Sequence, residues 1–195
     1  MSSHNQYPTS PEFSAINFKS IHKNVSSESR SGRLQVRSIG YQRWSFTAKY
    51  KGLTREQVQP LYAFVESRRG MLVTFTIVLP LISYTSGSAS GVASVNGSFA
   101  VGSNSPSVDG FTGTIKAGDF VKFGSHSKIY MVTADRVGAG TLAIEPPLIE
   151  AVTNNNVVTY DAVPFNVRMS NDMQQFKASG GDRYSIEIDM LEEIV

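Results

Sequence analysis

The chain contains no cysteine, which excludes disulfides, a thiol nucleophile and any thiolate metal site. Charge is sparse as well: Asp, Glu, Lys and Arg make up 17% of the 195 residues, against 41% hydrophobic. A packed core is feasible at this length, in one generous domain or two small ones. The remaining surface is rich in Ser, Asn, Thr and Gly, which suits extensive protein contacts better than free diffusion. A net charge of +2 lacks the unbalanced Lys and Arg on which a dedicated DNA-binding protein depends. The longest apolar run, residues 71–82, is too short and too broken by Thr to span a bilayer. The opening residues 1–6 carry no basic-then-apolar signal pattern. These absences predict a soluble protein made in the cytosol, with no direct membrane insertion.

Catalytic signatures are missing too. His4, His22 and His126 lie in three different contexts, none with a second His or a carboxylate at metal-ligand spacing. Each is expected at the surface. A serine nucleophile needs a strained elbow of the G-x-S-x-G type; residues 87–91 come near it, but their centre is Ala89, and a flexible turn is expected there. Phosphate-cradling glycine motifs are absent. The sequence therefore predicts no enzyme, no cofactor and no metal.

What is present is a split of charge. Residues 1–70 hold 11 Lys and Arg against 4 Asp and Glu, a balance of +7; residues 71–195 hold 7 against 12, a balance of −5. Two such halves can form opposite faces that meet in a head-to-tail ring, or one exposed arm is simply basic.

Residues 1–32 are polar, with scattered hydrophobes at Phe13, Ile16, Phe18 and Ile21. They are expected to form an extended N-terminal arm, either disordered or strapped across a neighbour. A hairpin follows. Leu34, Val36 and Ser38 alternate with Gln35 and Arg37, Gly40 marks the expected turn, and Trp44, Phe46, Ala48 and Tyr50 alternate with polar residues. Thr54 and Gln57 fit a capping box that opens a helix, with Val58, Leu61, Tyr62 and Val65 at helical spacing and Gly70 as the expected C-terminal cap. Pro60 argues for a start nearer Gln57. A strand over residues 71–79 then ends at Pro80.

Composition changes after Ile82. Residues 83–118 read as loops and weak edge strands, followed by short strands over 119–123, 128–134, 141–145 and 157–160, as in a small β-barrel or sandwich. Patterned strands resume at Val163, and near the end Ile186, Ile188 and Met190 alternate with Ser185, Glu187 and Asp189. The expected organisation is a host β domain of residues 33–82 plus 163–195, interrupted by an inserted small β domain at 83–162. Hairpin tips tolerate such insertions because the chain leaves and returns at nearby points. Trp44, the single tryptophan, is expected as a core anchor.

The segment from Gln42 to Trp44, the strand after it, Leu53–Arg55, Pro60–Phe64 and Gly70 resemble tail proteins of long-tailed bacteriophages. Residues 116–123 with 128–132 look like small β-domains of tail-tip and baseplate proteins, and residues 186–194 are similar to the final strand of such proteins. The resemblance covers about residues 33–82 and 116–195. It implies a tail-tube-like β-sandwich with one flanking α-helix that assembles as a hexameric ring, in a distal tail protein or a baseplate tube initiator of the virion. Tail-tube and baseplate or tail-tip proteins would be its partners, with DNA only in transit through the channel. At 195 residues the chain is expected to depart from larger distal tail proteins in lacking their full-length carbohydrate-binding domain. Candidate channel or subunit-interface residues are the carboxylates Glu187, Asp189, Glu192 and Glu193 and the arginines Arg30, Arg33 and Arg37. A carbohydrate- or host-surface-binding module is the alternative, with Tyr130 and Tyr160 as exposed aromatic candidates.

Overall fold

The computed structural model of the chain describes residues 5–124 and 126–194. The structure is mainly β, with antiparallel sheets and one helix among the described residues. Strands β1 (Ala15–Glu28) and β2 (Leu34–Leu53) lead into helix α1 (Arg55–Ser67) and β3 (Phe75–Ile77). The next nine strands are short: β4 (Ser90–Val95), β5 (Ser107–Thr112), β6 (Thr114–Ile115), β7 (Phe120–Phe123), β8 (Tyr130–Val132), β9 (Arg136–Val137), β10 (Gly140–Thr141), β11 (Ile144–Glu145) and β12 (Val157–Thr159). The chain ends in β13 (Phe165–Met169), β14 (Phe176–Ser179) and β15 (Arg183–Glu192). Two compact units result, Met1–Phe75 with Val167–Glu193, and Thr76–Asn166 with Ile194–Val195.

In the first unit, β2 is the organising strand. It runs 20 residues without interruption and pairs with β1 on one side and β15 on the other. The turn expected at Gly40 is a bulge instead. His22 pairs with Gln42 and Asn24 with Ser38, so Lys23 alone stands opposite Ile39, Gly40 and Tyr41. Gly40 takes φ +96° there, in the left-handed region where a side chain is strained. The true turn lies between β1 and β2, where the Gly32 N–H donates to the Ser29 carbonyl. Part of the expected arm, residues 15–28, is thus a strand along the chain's own β2. Tyr7, also in that segment, is buried in the unit's core and bonded through its hydroxyl to that of Tyr50 at 2.9 Å. Burial pushes both hydroxyls' pKa values up.

Trp44, Phe46, Ala48 and Tyr50 of β2 and Ile186, Ile188 and Met190 of β15 are all buried, as their alternation predicts. Trp44 stacks on Phe18 at 5.1 Å between ring centroids. Helix α1 buries Val58, Leu61 and Val65. Thr54 is its N-cap, and the Gln57 side-chain carbonyl accepts from the Thr54 N–H at 3.0 Å. The helix starts at Arg55 and runs through Pro60, earlier than Pro60 alone predicts; the cap fixes the first turn, and the sixth residue gives up one hydrogen bond. At the other end the cap is Arg68, not Gly70. Gly70 serves the turn that follows, with φ +61°, and a Cβ there would meet the Asp172 Oδ1 at 2.5 Å. Residues 71–79 contribute only the three-residue strand β3.

The second unit is a curled antiparallel sheet in the order β10-β5-β4-β12-β7-β8-β11. Its two end strands, β10 and β11, are separated in sequence by only Leu142 and Ala143, so the sheet must bend round until its ends approach. Val95, Val108, Phe123, Tyr130, Val132, Leu142 and Ile144 fill its interior. β4 and β5 arise where loops and weak edges were expected. Their Ser- and Gly-rich composition hides the period-2 pattern, because Gly91 and Gly110 adopt positive φ within the strands.

Candidate functional site

The four acidic candidates all belong to β15 or the residue after it, yet they do three different things. Glu187 lies opposite Lys49 in the ladder and forms an ion pair with it at 2.8 Å, both side chains partly exposed. Asp189, opposite Thr47, accepts from the Thr47 hydroxyl at 2.5 Å. Glu192 is fully buried and accepts from the Trp44 backbone N–H at 3.0 Å. It occupies the inward register of Ile188 and Met190. Glu193 pairs with Arg168 at 2.7 Å. These carboxylates are therefore engaged within their own chain. Glu187 and Asp189 share the outward face expected of them.

Arg30, Arg33 and Arg37 are exposed at the far end of the β1–β2 hairpin. Lys49, which marks the position of Glu187, lies 12 residues beyond Arg37 and 16 beyond Arg33. At about 3.4 Å per residue that is roughly 40–55 Å of strand. The fold does not bring the basic and acidic candidates together within one chain.

The hairpin's distal half carries the unexpected feature. Residues 20–28 of β1 and 34–41 of β2 are exposed throughout. Leu34 and Val36, whose alternation predicts a buried face, are 62% and 59% exposed. Ile21, Val25, Ile39 and Tyr41 are exposed with them. Six of the sixteen exposed large hydrophobics among the described residues thus fall between positions 21 and 41, in about a tenth of the chain. Residues 20–41 also contain four Lys and Arg against one Glu. The result is a basic two-stranded ribbon with apolar side chains on both faces.

A second surface feature has no sequence signature. Tyr62 of α1, Phe176 of β14 and Tyr184 of β15 form a partly exposed aromatic group, with Phe176 edge-on to Tyr62 at 4.9 Å and tilted against Tyr184 at 5.9 Å. They line a groove of about 470 Å³ with Val58, Ala178 and Arg55. Hydrogen bonding to Glu66 raises the pKa of the Tyr62 hydroxyl, and Asp182 does the same for Tyr184. Tyr62 shows in the sequence pattern as a helix position and Tyr184 as the start of the last strand; β14 has no alternation to mark it.

The second unit buries several polar groups, Asp119 and His126 among them. Asp119 is buried and accepts from the Thr85 hydroxyl at 2.7 Å, the Ser86 hydroxyl at 2.7 Å and N–H at 2.8 Å, and the Lys116 N–H at 3.0 Å. Burial alone raises its pKa, but these donors outweigh burial and hold the carboxyl below its usual range. His126, expected at the surface, is 1% exposed. Its Nδ1 lies 3.2 Å from the Tyr130 hydroxyl, which also accepts from the Ile149 N–H. The chain packs this ring against Phe123 and Tyr130. His22 is exposed and bonded to the Ser20 hydroxyl, whereas His4 lies outside the described residues. Tyr130 and Tyr160, expected as exposed aromatics, are buried core residues, and the Tyr160 hydroxyl donates to the Gly91 carbonyl at 2.6 Å.

Among the described residues, no group of three or more His, Asp or Glu is placed to hold a metal ion. No described helix is long and apolar enough to cross a membrane. No protein-family model and no curated protein matches the chain.

Proposed function

We propose that the chain is a structural ring-forming component of a bacteriophage tail, a distal-tail or baseplate tube-initiating ring that joins the tail tube to the tail tip and forms part of the DNA channel. In this reading the first unit is a tail-tube-like β-sandwich with α1 on its flank. Six copies close a ring in the virion after assembly in the host cytoplasm, and no catalytic step or cofactor is involved. DNA touches the protein only in transit.

The single observation that carries the reading is the exposed distal ribbon of β1 and β2. A two-stranded hairpin without cover is marginal in water, and six exposed large hydrophobics on it call for a protein neighbour. A heterologous contact of that kind generates a ring when its rotation closes. The resemblance of residues 33–82 and 116–195 to phage tail proteins supplies the biological setting. Burial of Tyr130 and Tyr160 removes the support for a carbohydrate-binding module.

Native mass spectrometry and negative-stain imaging of the full chain, alone and mixed with a tail-tube protein, test the proposal. Closed rings, most simply hexamers, or a complex with the tube protein are expected. A monomer at all concentrations that ignores the tube protein would overturn it.

A further inference from the structure

We infer that the tip of the β1–β2 ribbon of one copy docks into the aromatic groove formed by α1, β14 and β15 of a second copy. The inference rests on the ring reading in requiring that second copy.

Topology excludes the chain's own tip as the occupant. The ribbon tip begins β2 at Leu34, whereas the groove stands at the opposite end of that strand: Tyr184 pairs with Leu53, and α1 starts two residues later. Nineteen residues of strand separate Leu34 from Leu53, roughly 60 Å at about 3.4 Å per residue. A tip projected that far from its own groove can reach only a groove on another copy.

Chemistry matches the two surfaces. The tip presents Leu34 and Val36 on one face, opposite Glu28 and Ser26 in the ladder, with Arg30 and Arg33 exposed at the turn. The groove offers the rings of Tyr62, Phe176 and Tyr184, and Phe176 remains 41% exposed. Glu66 and Asp182 stand beside the two tyrosine hydroxyls as partners for guanidinium groups, while Arg55 is the one cation that lines the groove. Apolar side chains of the tip cover the rings, and the arginines reach the carboxylates or stack on the aromatic faces. Stacking of that type already occurs in this fold, where Arg68 lies 4.7 Å from the Phe64 ring centre. A volume of about 470 Å³ accommodates a few side chains, not a whole element, as befits a hairpin tip.

The absence of cysteine in the chain makes a direct test clean. Leu34→Cys and Ala178→Cys variants, both at exposed positions, are mixed and mildly oxidised. A disulfide-linked species joining the two variants is expected, well above what either forms alone, and the double variant is expected to give a covalent ladder. Absence of the cross-link in protein that native mass spectrometry shows to be oligomeric overturns this docking while leaving the ring reading intact. A persistent monomer overturns both. As a second arm, Glu66→Lys with Asp182→Lys is expected to weaken assembly at least tenfold, and Arg30→Glu with Arg33→Glu to restore it. If the arginine substitutions instead abolish salt-sensitive retention of duplex DNA and leave assembly unchanged, the ribbon is a nucleic-acid arm and the inference fails.

Discussion

At the residue scale, Asp119 does more than its position in a short loop implies. Four donors from two segments, residues 85–86 and 116, converge on one buried carboxylate. Its folded pKa lies below the unfolded value of about 3.9. The stability it contributes is therefore present above that unfolded value and is lost as pH falls through the folded one. Asp119→Ala leaves buried donors without an acceptor and should cost about 3 kcal/mol, read as a lower melting temperature at neutral pH. Asp119→Asn should also flatten the acid-side fall in melting temperature below about pH 4. An unchanged acid limb in that variant would remove Asp119 from the account. Gly70 makes a steric counterpart. Its positive φ and the 2.5 Å approach of Asp172 leave no space for a methyl group, so Gly70→Ala should destabilise by about 1–3 kcal/mol. Chemical denaturation measures that cost, and a neutral effect would mean that the turn relaxes freely.

Elements differ in how far the sequence discloses them. The period-2 run at Ile186, Ile188 and Met190 marks β15 because a buried face and a polar face alternate along one strand, and the structure buries the expected three. The capping pair Thr54 and Gln57 marks α1 because cap chemistry is local. Leu34 and Val36 show the limit of such reading. Alternation shows that a face seeks cover, but not whether the cover lies in the same chain. Gly40 shows another limit, since a left-handed glycine serves a bulge as well as a turn. The groove escapes notice because its three rings come from segments 62, 176 and 184, which only the folded sheet assembles. Local stability should follow the same division. Amides of residues 20–28 and 34–41 should exchange rapidly in dilute protein, while those of 45–49, paired on both sides by β1 and β15, exchange slowly. Assembly should slow the ribbon's exchange. Equal protection along all of β2 in a monomer would contradict the exposed ribbon.

On the scale of the whole molecule, the charge split acquires a spatial meaning. Part of the positive excess of residues 1–70, four Lys and Arg against one Glu over residues 20–41, sits on the distal ribbon, while Glu187 and Asp189 occupy the outward face of β15. Those two carboxylates are already engaged by Lys49 and Thr47, and contact with a neighbour's arginines competes with a place along a channel as their role. An exposed pair such as Glu187 with Lys49 contributes only about 0.2–1 kcal/mol, so replacing it need not harm the fold. In a tube-like ring whose channel this face borders, the carboxylates would repel phosphate and keep passing DNA from adhering. Glu187→Lys with Asp189→Lys should then leave ring formation intact, since the ribbon and the groove are untouched. The reversed face should retain DNA, with a retention that weakens steeply as salt rises, and particles carrying it should deliver DNA poorly. Rings that fail to form, or that form only at altered salt, would place these residues at a subunit interface instead. Unchanged assembly together with unchanged delivery would reduce the face to a solvated one, with Lys49 and Thr47 as its sole business.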